Sequence, residues 1–409
     1  MTSNTMRSVD RLVGPAVCFL LTYILKLIRI FKPVHQGPVH DVRRILFIKP
    51  AEMGSTVLTY PALLRARQLW PRCEIYFLVF AENRQAVNLL GIVPPENIYE
   101  TRTNNIFVFL WDCVRCIIRL RKLHLDVAVD LEFFSRAAAI LAALVGARAV
   151  SGFERYTTEG LYKGRFETHP VQYNCHMHVA AAFLSLVESF TQPAGQVPLV
   201  KAVMDMELAA QLPPADATPE ETAKIKGLIR EENLRVNDRS RLIMLNVNSS
   251  DLMPLRRWPL EKFITLGKQL MKDSDVLIVL TGVKSERQES LAVVHQLGAD
   301  RCVNLVGKTT LRELIVAYSL CDLLVTNDSG PSHFAALTNL PTITLFGPET
   351  PELYGALRKG RVAITSGLAC SPCVSAYNHR RSPCNDNACM KAIQVDEVYE
   401  MCGKLLRKE

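Results

Sequence analysis

Neither a basic–aromatic array nor a finger-type Cys/His pattern occurs in this chain of 409 residues, so its net charge of +8 does not single out nucleic acid. The excess of cations favours other anionic partners: phosphates, nucleotides or an acidic membrane surface. The uncharged stretch Leu12–Leu25 falls short of the ~20 apolar residues that a spanning helix needs. No small-residue cleavage site follows Ile30-Phe31-Lys32-Pro33, which disfavours a secretory leader. No short internal repeat stands out. Charged residues make up 22% against 49% hydrophobic, which argues against disorder and leaves a globular chain long enough for two domains. Cysteine is not scarce, at twelve. Cys18, Cys73, Cys113, Cys116, Cys302 and Cys321 lie in apolar segments and read as core or helix-face thiols. A reducing, cytosolic setting is expected.

What the chain does have is alternation. Leu12–Phe31 reads as a helix lying in or dipping into a membrane interface, with Lys26, Arg29 and Lys32 able to snorkel to headgroups. A transmembrane anchor and a helix packed on the protein stay open. Residues 1–40 are therefore read as a membrane-associating helix and its linker. Beyond them come strands Arg43–Lys49, Ile75–Phe80 and Val127–Asp130, with helices to about Trp70, near Asn83–Leu90, and at Phe107–Leu123, Ser135–Val145 and His176–Phe190. That rhythm predicts a parallel sheet with right-handed crossovers over residues 41–200. Residues 201–238 read as interdomain passage and a helix, Glu220–Glu232. Residues 239–409 resume the rhythm. Strands Leu242–Val247, Val276–Leu280, Cys302–Leu305 and Leu323–Thr326 alternate with helices Leu260–Met271, Ser285–Leu297 and Thr310–Leu320.

The turn after the last of these strands, Asn327-Asp328-Ser329-Gly330-Pro331-Ser332-His333, is the sharpest signal. Asp328 or Ser329 can cap the small-residue helix that follows, and Pro331 suits its first turn. Gly330 permits close backbone approach, N–H groups at a helix start attract an anion, and His333 adds a donor beside them. An ordinary, well-capped strand–turn–helix explains the same residues.

Residues 327–337, with Pro341 and Leu345-Phe346-Gly347-Pro348 behind them, resemble the signature of the heptosyltransferase-like glycosyltransferases, glycosyltransferase family nine. The resemblance implies an α/β GT-B fold: two Rossmann-like domains facing a central cleft, here preceded by a hydrophobic helix. It implies an inverting transfer of a sugar from a nucleotide-diphosphate donor to a lipid-linked or lipopolysaccharide-type glycan, at the cytoplasmic face of the inner membrane. Heptose is the family's best-known sugar. No cofactor is then required, since protein cations and dipoles can replace a metal at the diphosphate. Two other classes fit the residues. One is an inactive nucleotide-sugar-binding scaffold. The other is a GT-B-type epimerase or hydrolase acting on the nucleotide sugar alone.

The first βα turn is Lys49-Pro50-Ala51-Glu52-Met53-Gly54-Ser55-Thr56, where the family usually has Gly-Asp. That acid, taken as the base, is here Ser55. Glu52 is the remaining candidate to deprotonate an acceptor hydroxyl, against the reading of a solvated loop glutamate. Lys49, Ser55 and Arg136 are expected on the acceptor side. Arg136 alternatively pairs with Glu132 at i,i+4. In the later half, Ser249 and Ser250 belong to a hydroxyl-rich loop resembling the family's donor loop. Arg256 stands where the family has a diphosphate-binding lysine, and arginine can grip phosphate bidentately. Glu286 resembles an acid facing the nucleoside, or caps its helix. With Asp328, Ser329, Gly330 and His333 these make the expected donor side. Gly307-Lys308-Thr309-Thr310 is no Walker loop, because Cys302 stands where the first glycine belongs. Thr310 with Glu313 predicts a capping box. Cys370, Cys373, Cys384 and Cys389 leave zinc, two disulfides and free thiols open. Only the first pair has C-x-x-C spacing, so zinc is not favoured.

Overall fold

Short continuous apolar runs such as Ile45–Ile48 and Leu323–Val325 can be buried on both faces only in a sheet that helices cover on each side. The computed structural model, which describes residues 3–31, 36–156, 161–213, 215–249, 253–378 and 380–407, builds such sheets from both runs. The chain divides into two compact units: Met1–Gln211 with Ser375–Arg381, and Leu212–Val374 with Ser382–Glu409.

The first unit carries six parallel strands: β1 (Arg44–Ile48), β2 (Glu74–Phe80), β3 (Ile98–Thr101), β4 (Val127–Asp130), β5 (Ala149–Glu154) and β6 (His169–Gln172). Their order is β3-β2-β1-β4-β5-β6, so the winding reverses between β1 and β4. The helices are α1 (Ser3–Leu12), α2 (Gly14–Phe31), α3 (Met53–Thr56), α4 (Tyr60–Leu69), α5 (Arg84–Leu89), α6 (Ile106–Lys122), α7 (Arg136–Leu144), α8 (Val179–Glu188) and α9 (Met206–Ala209). On one sheet face Leu46, Ile48, Tyr76 and Leu78 pack against Cys113, Cys116 and Leu120 of α6 and Ala138, Leu141 and Ala142 of α7.

The expected helix Leu12–Phe31 begins two residues later, as α2, and α1 precedes it. One side of α2 docks on α7: Cys18 joins Ala139 and Phe166, with Leu21 and Leu25 beside them. Gly14 is required there, because a Cβ would meet Arg136 Cδ at 2.5 Å. The other side exposes Phe19, Leu20, Ile24, Leu27 and Ile28. With 18 residues and a mean hydropathy of 1.7, α2 is the one helix among the described residues long and apolar enough to cross a membrane.

The second unit repeats the architecture with β7 (Arg241–Asn246), β8 (Val276–Leu280), β9 (Cys302–Asn304), β10 (Leu323–Asn327), β11 (Thr342–Phe346) and β12 (Arg361–Thr365). The order is β12-β11-β10-β7-β8-β9, reversing between β7 and β10. Its helices are α10 (Pro219–Glu232), α11 (Leu260–Leu270), α12 (Arg287–Leu297), α13 (Leu311–Ser319), α14 (Gly330–Ala335), α15 (Pro351–Tyr354), α16 (Ala388–Ala392) and α17 (Val395–Arg407). The capping box of Thr310 and Glu313 forms as expected, and α10 has its own, Thr218 with Glu221. The two are cross-tied, Arg312 to Glu221 and Lys224 to Glu313, each at 2.7 Å. Trp258 anchors the loop before α11, edge-on to Phe263 at 4.9 Å and donating Nε1 to Ile393 O at 3.1 Å.

Candidate active site

Doubly wound sheets bind ligands at the carboxyl ends of their strands, where the strand order reverses. In the first unit that place is the β1/β4 boundary. β1 leads into Lys49, and β4 ends on Asp130 with Glu132 just beyond. Lys49 is only 1% exposed, and a buried ammonium needs partners. Its Nζ donates to Ala51 O at 3.0 Å and lies 3.4 Å from Glu132 Oε1 and 3.8 Å from Glu52 Oε2. Glu132 also accepts Ala51 N–H at 3.0 Å, which pins the turn to β4.

Glu52 sits in the left-handed backbone region, at φ 65 and ψ 77. A non-glycine residue holds that conformation only when its surroundings compel it, and such strain gathers at functional sites. Its carboxylate accepts Ser55 Oγ–H at 3.2 Å and pairs with Arg380. Arg380, brought in by the 375–381 segment, is itself left-handed, at φ 53. Lys49, Glu52 and Ser55 are thus brought together, and Ser55 serves the carboxylate it was expected to lack. Arg136 does not join them. It is buried, donates Nε–H to Tyr162 O at 2.7 Å, and meets Asp10 of α1 at 3.3 Å. Glu132 is taken by Lys49, so the expected i,i+4 pair is not made either.

Behind this turn lies a buried charge cluster that the sequence did not disclose. Lys163 Nζ is 2.9 Å from Asp130 Oδ2 and 3.0 Å from Glu167 Oε1. Burial alone would lower Lys163, but the carboxylates override it and hold the ammonium up. Burial pushes Asp130 up to about 6, against the pull of Lys163. It pushes Glu154 up to about 7, with the charge of Glu167 adding to the effect. The geometry favours a charged Lys163 between its carboxylates, and Asp130 Oδ1 ties the cluster to the site by accepting Glu132 N–H at 3.1 Å. Glu154 also borders a shallow surface recess of about 10 Å³, with Phe134, Tyr156, Gln172, Tyr173 and Tyr377.

In the second unit the corresponding place is the β7/β10 boundary. Asn327, fully buried, fastens it. Its Oδ1 accepts Trp258 N–H at 2.8 Å, and its Nδ2 donates to Val247 O at 3.0 Å and Asn248 O at 3.3 Å. Asp328, 2% exposed, pairs with Arg256 at 3.4 Å. Ser329 occupies the cap position of α14 but makes no side-chain cap bond, since its hydroxyl donates to Asn327 O at 3.2 Å. Ser329 therefore does not cap α14 with its side chain. Gly330 opens that six-residue helix, and His333 is buried within it.

Glu286 accepts Val283 N–H at 2.9 Å, the bland capping role, and burial raises its carboxyl while a bond from Asn248 opposes the rise. Three buried polar atoms gather at these strand ends without a hydrogen bond among the described residues: Ser249 Oγ, Thr281 Oγ1 and Arg256 Nε. Buried polar groups are normally satisfied, so atoms left unbonded on the loops after β7 and β8 have hydrogen-bonding capacity to offer a polar ligand. Ser250 lies outside the described residues.

None of the twelve cysteines forms a disulfide, which removes the two-disulfide reading of the tail. Cys370 and Cys384 are exposed, Cys389 is buried, and Cys373 Sγ lies 3.2 Å from Ser382 Oγ. Among the described residues no group of His, Cys, Asp or Glu is placed to hold a metal ion.

Asp130 and Glu154 end strands, and acids at strand ends are a signal available in sequence. Arg380 gives none, being 328 residues from its partner.

Residues 114–382 match the family model described as glycosyltransferase family 9 (heptosyltransferase). The chain is 28% identical over 156 residues to lipooligosaccharide heptosyltransferase 2 of Campylobacter jejuni, covering 37% of this chain and 47% of that protein. The match thus spans about half the length of the first curated relatives. The protein of the same name from Haemophilus influenzae is 26% identical over 312 residues, covering 75% of this chain and 84% of that one. Among solved structures, ADP-heptose lps heptosyltransferase II of E. coli aligns with a TM-score of 0.66 at 18% identity, over 89% of this chain and 99% of that one. A family 9 glycosyl transferase from Veillonella parvula aligns with a TM-score of 0.68 at 18% identity, over 92% and 100%. At that identity the likeness speaks for the fold. The paired doubly wound sheets with their apolar N-terminal helix are the α/β, GT-B architecture the resemblance implied.

Proposed function

The chain belongs to glycosyltransferase family 9 (heptosyltransferase), and we propose that it moves a sugar, heptose in the first instance, from a nucleotide-diphosphate donor to a hydroxyl of a lipid-linked or lipopolysaccharide-type glycan. The names of its relatives from H. influenzae and Pseudomonas aeruginosa, a lipooligosaccharide and a lipopolysaccharide heptosyltransferase, support that choice of sugar and acceptor class. The acceptor oxygen bonds to the anomeric carbon from the face opposite the diphosphate, and its proton passes to Glu52. The bond from that carbon to the diphosphate oxygen breaks, the nucleoside diphosphate leaves, and the configuration inverts.

Lys49, Ser55 and Arg380 orient the carboxylate. Arg256, steadied by Asp328, balances charge on the diphosphate with Ser249, Ser250, His333 and the backbone N–H groups after Ser329, where Gly330 admits close approach. Glu286 accepts hydroxyls of the nucleoside. The apolar face of α2 and its Lys26 hold the enzyme at the cytoplasmic face of the inner membrane.

The observation that carries this reading is Glu52: a left-handed glutamate beside the strand-order reversal, with its carboxylate held from three directions. Donor turnover measured with and without acceptor tests it. Acceptor-dependent release of nucleoside diphosphate, with an inverted anomer by NMR, is expected. Acceptor-independent conversion would instead support a hydrolase or epimerase, and binding without turnover a scaffold. An ADP-linked heptose is the first donor to try, since E. coli heptosyltransferase WaaC has been solved with such an analogue.

A further inference from the structure

The helix α6 has its inner side in the sheet and a second apolar side facing out. Cys113, Cys116 and Leu120 are buried, and Asp112 is buried beside Arg102, which holds it at 2.8 and 2.9 Å. On the opposite side stand Phe107, Leu110, Trp111, Val114 and Ile118, each between 50% and 80% exposed. Their spacing of i, i+3, i+4, i+7 and i+11 sets them in one outward strip. A helix packed on a soluble domain ordinarily puts polar residues there. Arg115, Arg119, Arg121 and Lys122 are exposed near the end of the same helix, and its single acid is the buried, paired Asp112.

The exposed apolar side of α2 belongs to the same part of the unit. α7 packs beside α6 over one sheet face through Ala138, Leu141 and Ala142, and carries α2 through Ala139, Ile140 and Ala143.

We propose that α6 is a second membrane-contacting element, seating its Phe107–Ile118 strip in the headgroup region of an anionic phospholipid bilayer alongside α2, with Arg115, Arg119 and Lys122 on lipid phosphates. Charge selects this occupant. An apolar strip bordered by cations and no free acid matches an anionic surface. A second copy of the chain would set cations of one α6 against those of another with nothing to pair them. The inference is independent of the proposed transfer chemistry, since a water-soluble acceptor analogue needs no bilayer.

The test uses the full chain and its own fluorescence. Trp70 and Trp258 are buried and Trp111 is exposed, so a change on adding vesicles reports α6. Vesicles of phosphatidylethanolamine and phosphatidylglycerol with brominated acyl chains should blue-shift and quench the emission, and Trp111→Phe should lose both effects. Replacing Phe107 and Trp111 together by Ser should weaken co-sedimentation with these vesicles about tenfold or more, by the loss of buried apolar side chains. Arg115→Gln with Arg119→Gln should weaken it about fivefold or more and flatten its salt dependence. Three results would overturn the proposal: no vesicle binding, bound protein whose Trp111 stays open to aqueous iodide, or a vesicle-free dimer that already shields Trp111. The last would assign the strip to a second copy. Transfer to a soluble acceptor analogue should be unchanged in all these variants.

Discussion

Ser55 is the residue that most directly supports the proposed base. It holds the position of the family's acid, yet its hydroxyl is spent on Glu52, and the carboxylate enters from three residues upstream. Ser55→Ala should therefore lower kcat roughly three- to tenfold with donor affinity kept, as one neutral-to-charged hydrogen bond allows. Steady-state kinetics with a calorimetric donor titration check both halves. Arg256 is the side chain proposed for the diphosphate, with one nitrogen on Asp328 and another unbonded among the described residues. Arg256→Ala should weaken nucleoside diphosphate binding about ten- to hundredfold, the worth of a charge-assisted contact, while Arg256→Lys loses less. Glu52 and Arg256 could be proposed from sequence because each lies in a loop that follows a recognisable strand, β1 or β7. The partners of Arg136, Asp10 and Tyr162, were not legible, because they come from segments that no local spacing connects to it.

At the level of elements, long apolar segments announced themselves and short polar ones did not. β4 and β8 fall on the expected residues, and α6, α10 and α13 lie within a residue of them. β3, β5, β6, β11 and β12 were not anticipated. β6 holds a proline at the sheet edge and β12 an edge register with Arg361 and half-exposed neighbours, so both lack the buried-strand pattern. β11, Thr342–Phe346, alternates threonine with apolar residues yet is wholly buried. The cap at Thr310 was readable because it is written in four consecutive residues, and Thr310→Ala should cost about 1 kcal/mol in denaturant unfolding. Asn327 was legible only as part of a motif, whereas its role is to bind the end of β10 to the loop after β7 and to Trp258. Asn327→Ala should cost roughly 2–3 kcal/mol and lower the urea midpoint, by leaving buried backbone groups unpaired.

Across the whole molecule the same plan appears twice, with polar residues converging where each sheet reverses its order. Strand–helix alternation was enough to foresee this plan, whereas the buried charges of the first unit lay beyond it, since Asp130, Glu154, Lys163 and Glu167 meet only through the fold. Those charges predict a pH dependence. Burial raises Glu154 from 4.5 to about 7 and Asp130 from 3.8 to about 6, so the folded state keeps protons that the unfolded chain releases. The stability they lend is complete at low pH and is lost as pH rises through about 7. Glu154→Gln, which stays neutral, should flatten that decline, and its gain in Tm over the natural protein should be larger above pH about 7 than below about 4.5.

The most direct test of the chemistry is Glu52→Gln, followed by acceptor-dependent release of nucleoside diphosphate and by calorimetry with the same nucleotide. Loss of turnover by about a hundredfold or more, with nucleotide affinity unchanged, is the expected result. Undiminished transfer by Glu52→Gln would contradict the assignment of the base, and with it the central claim.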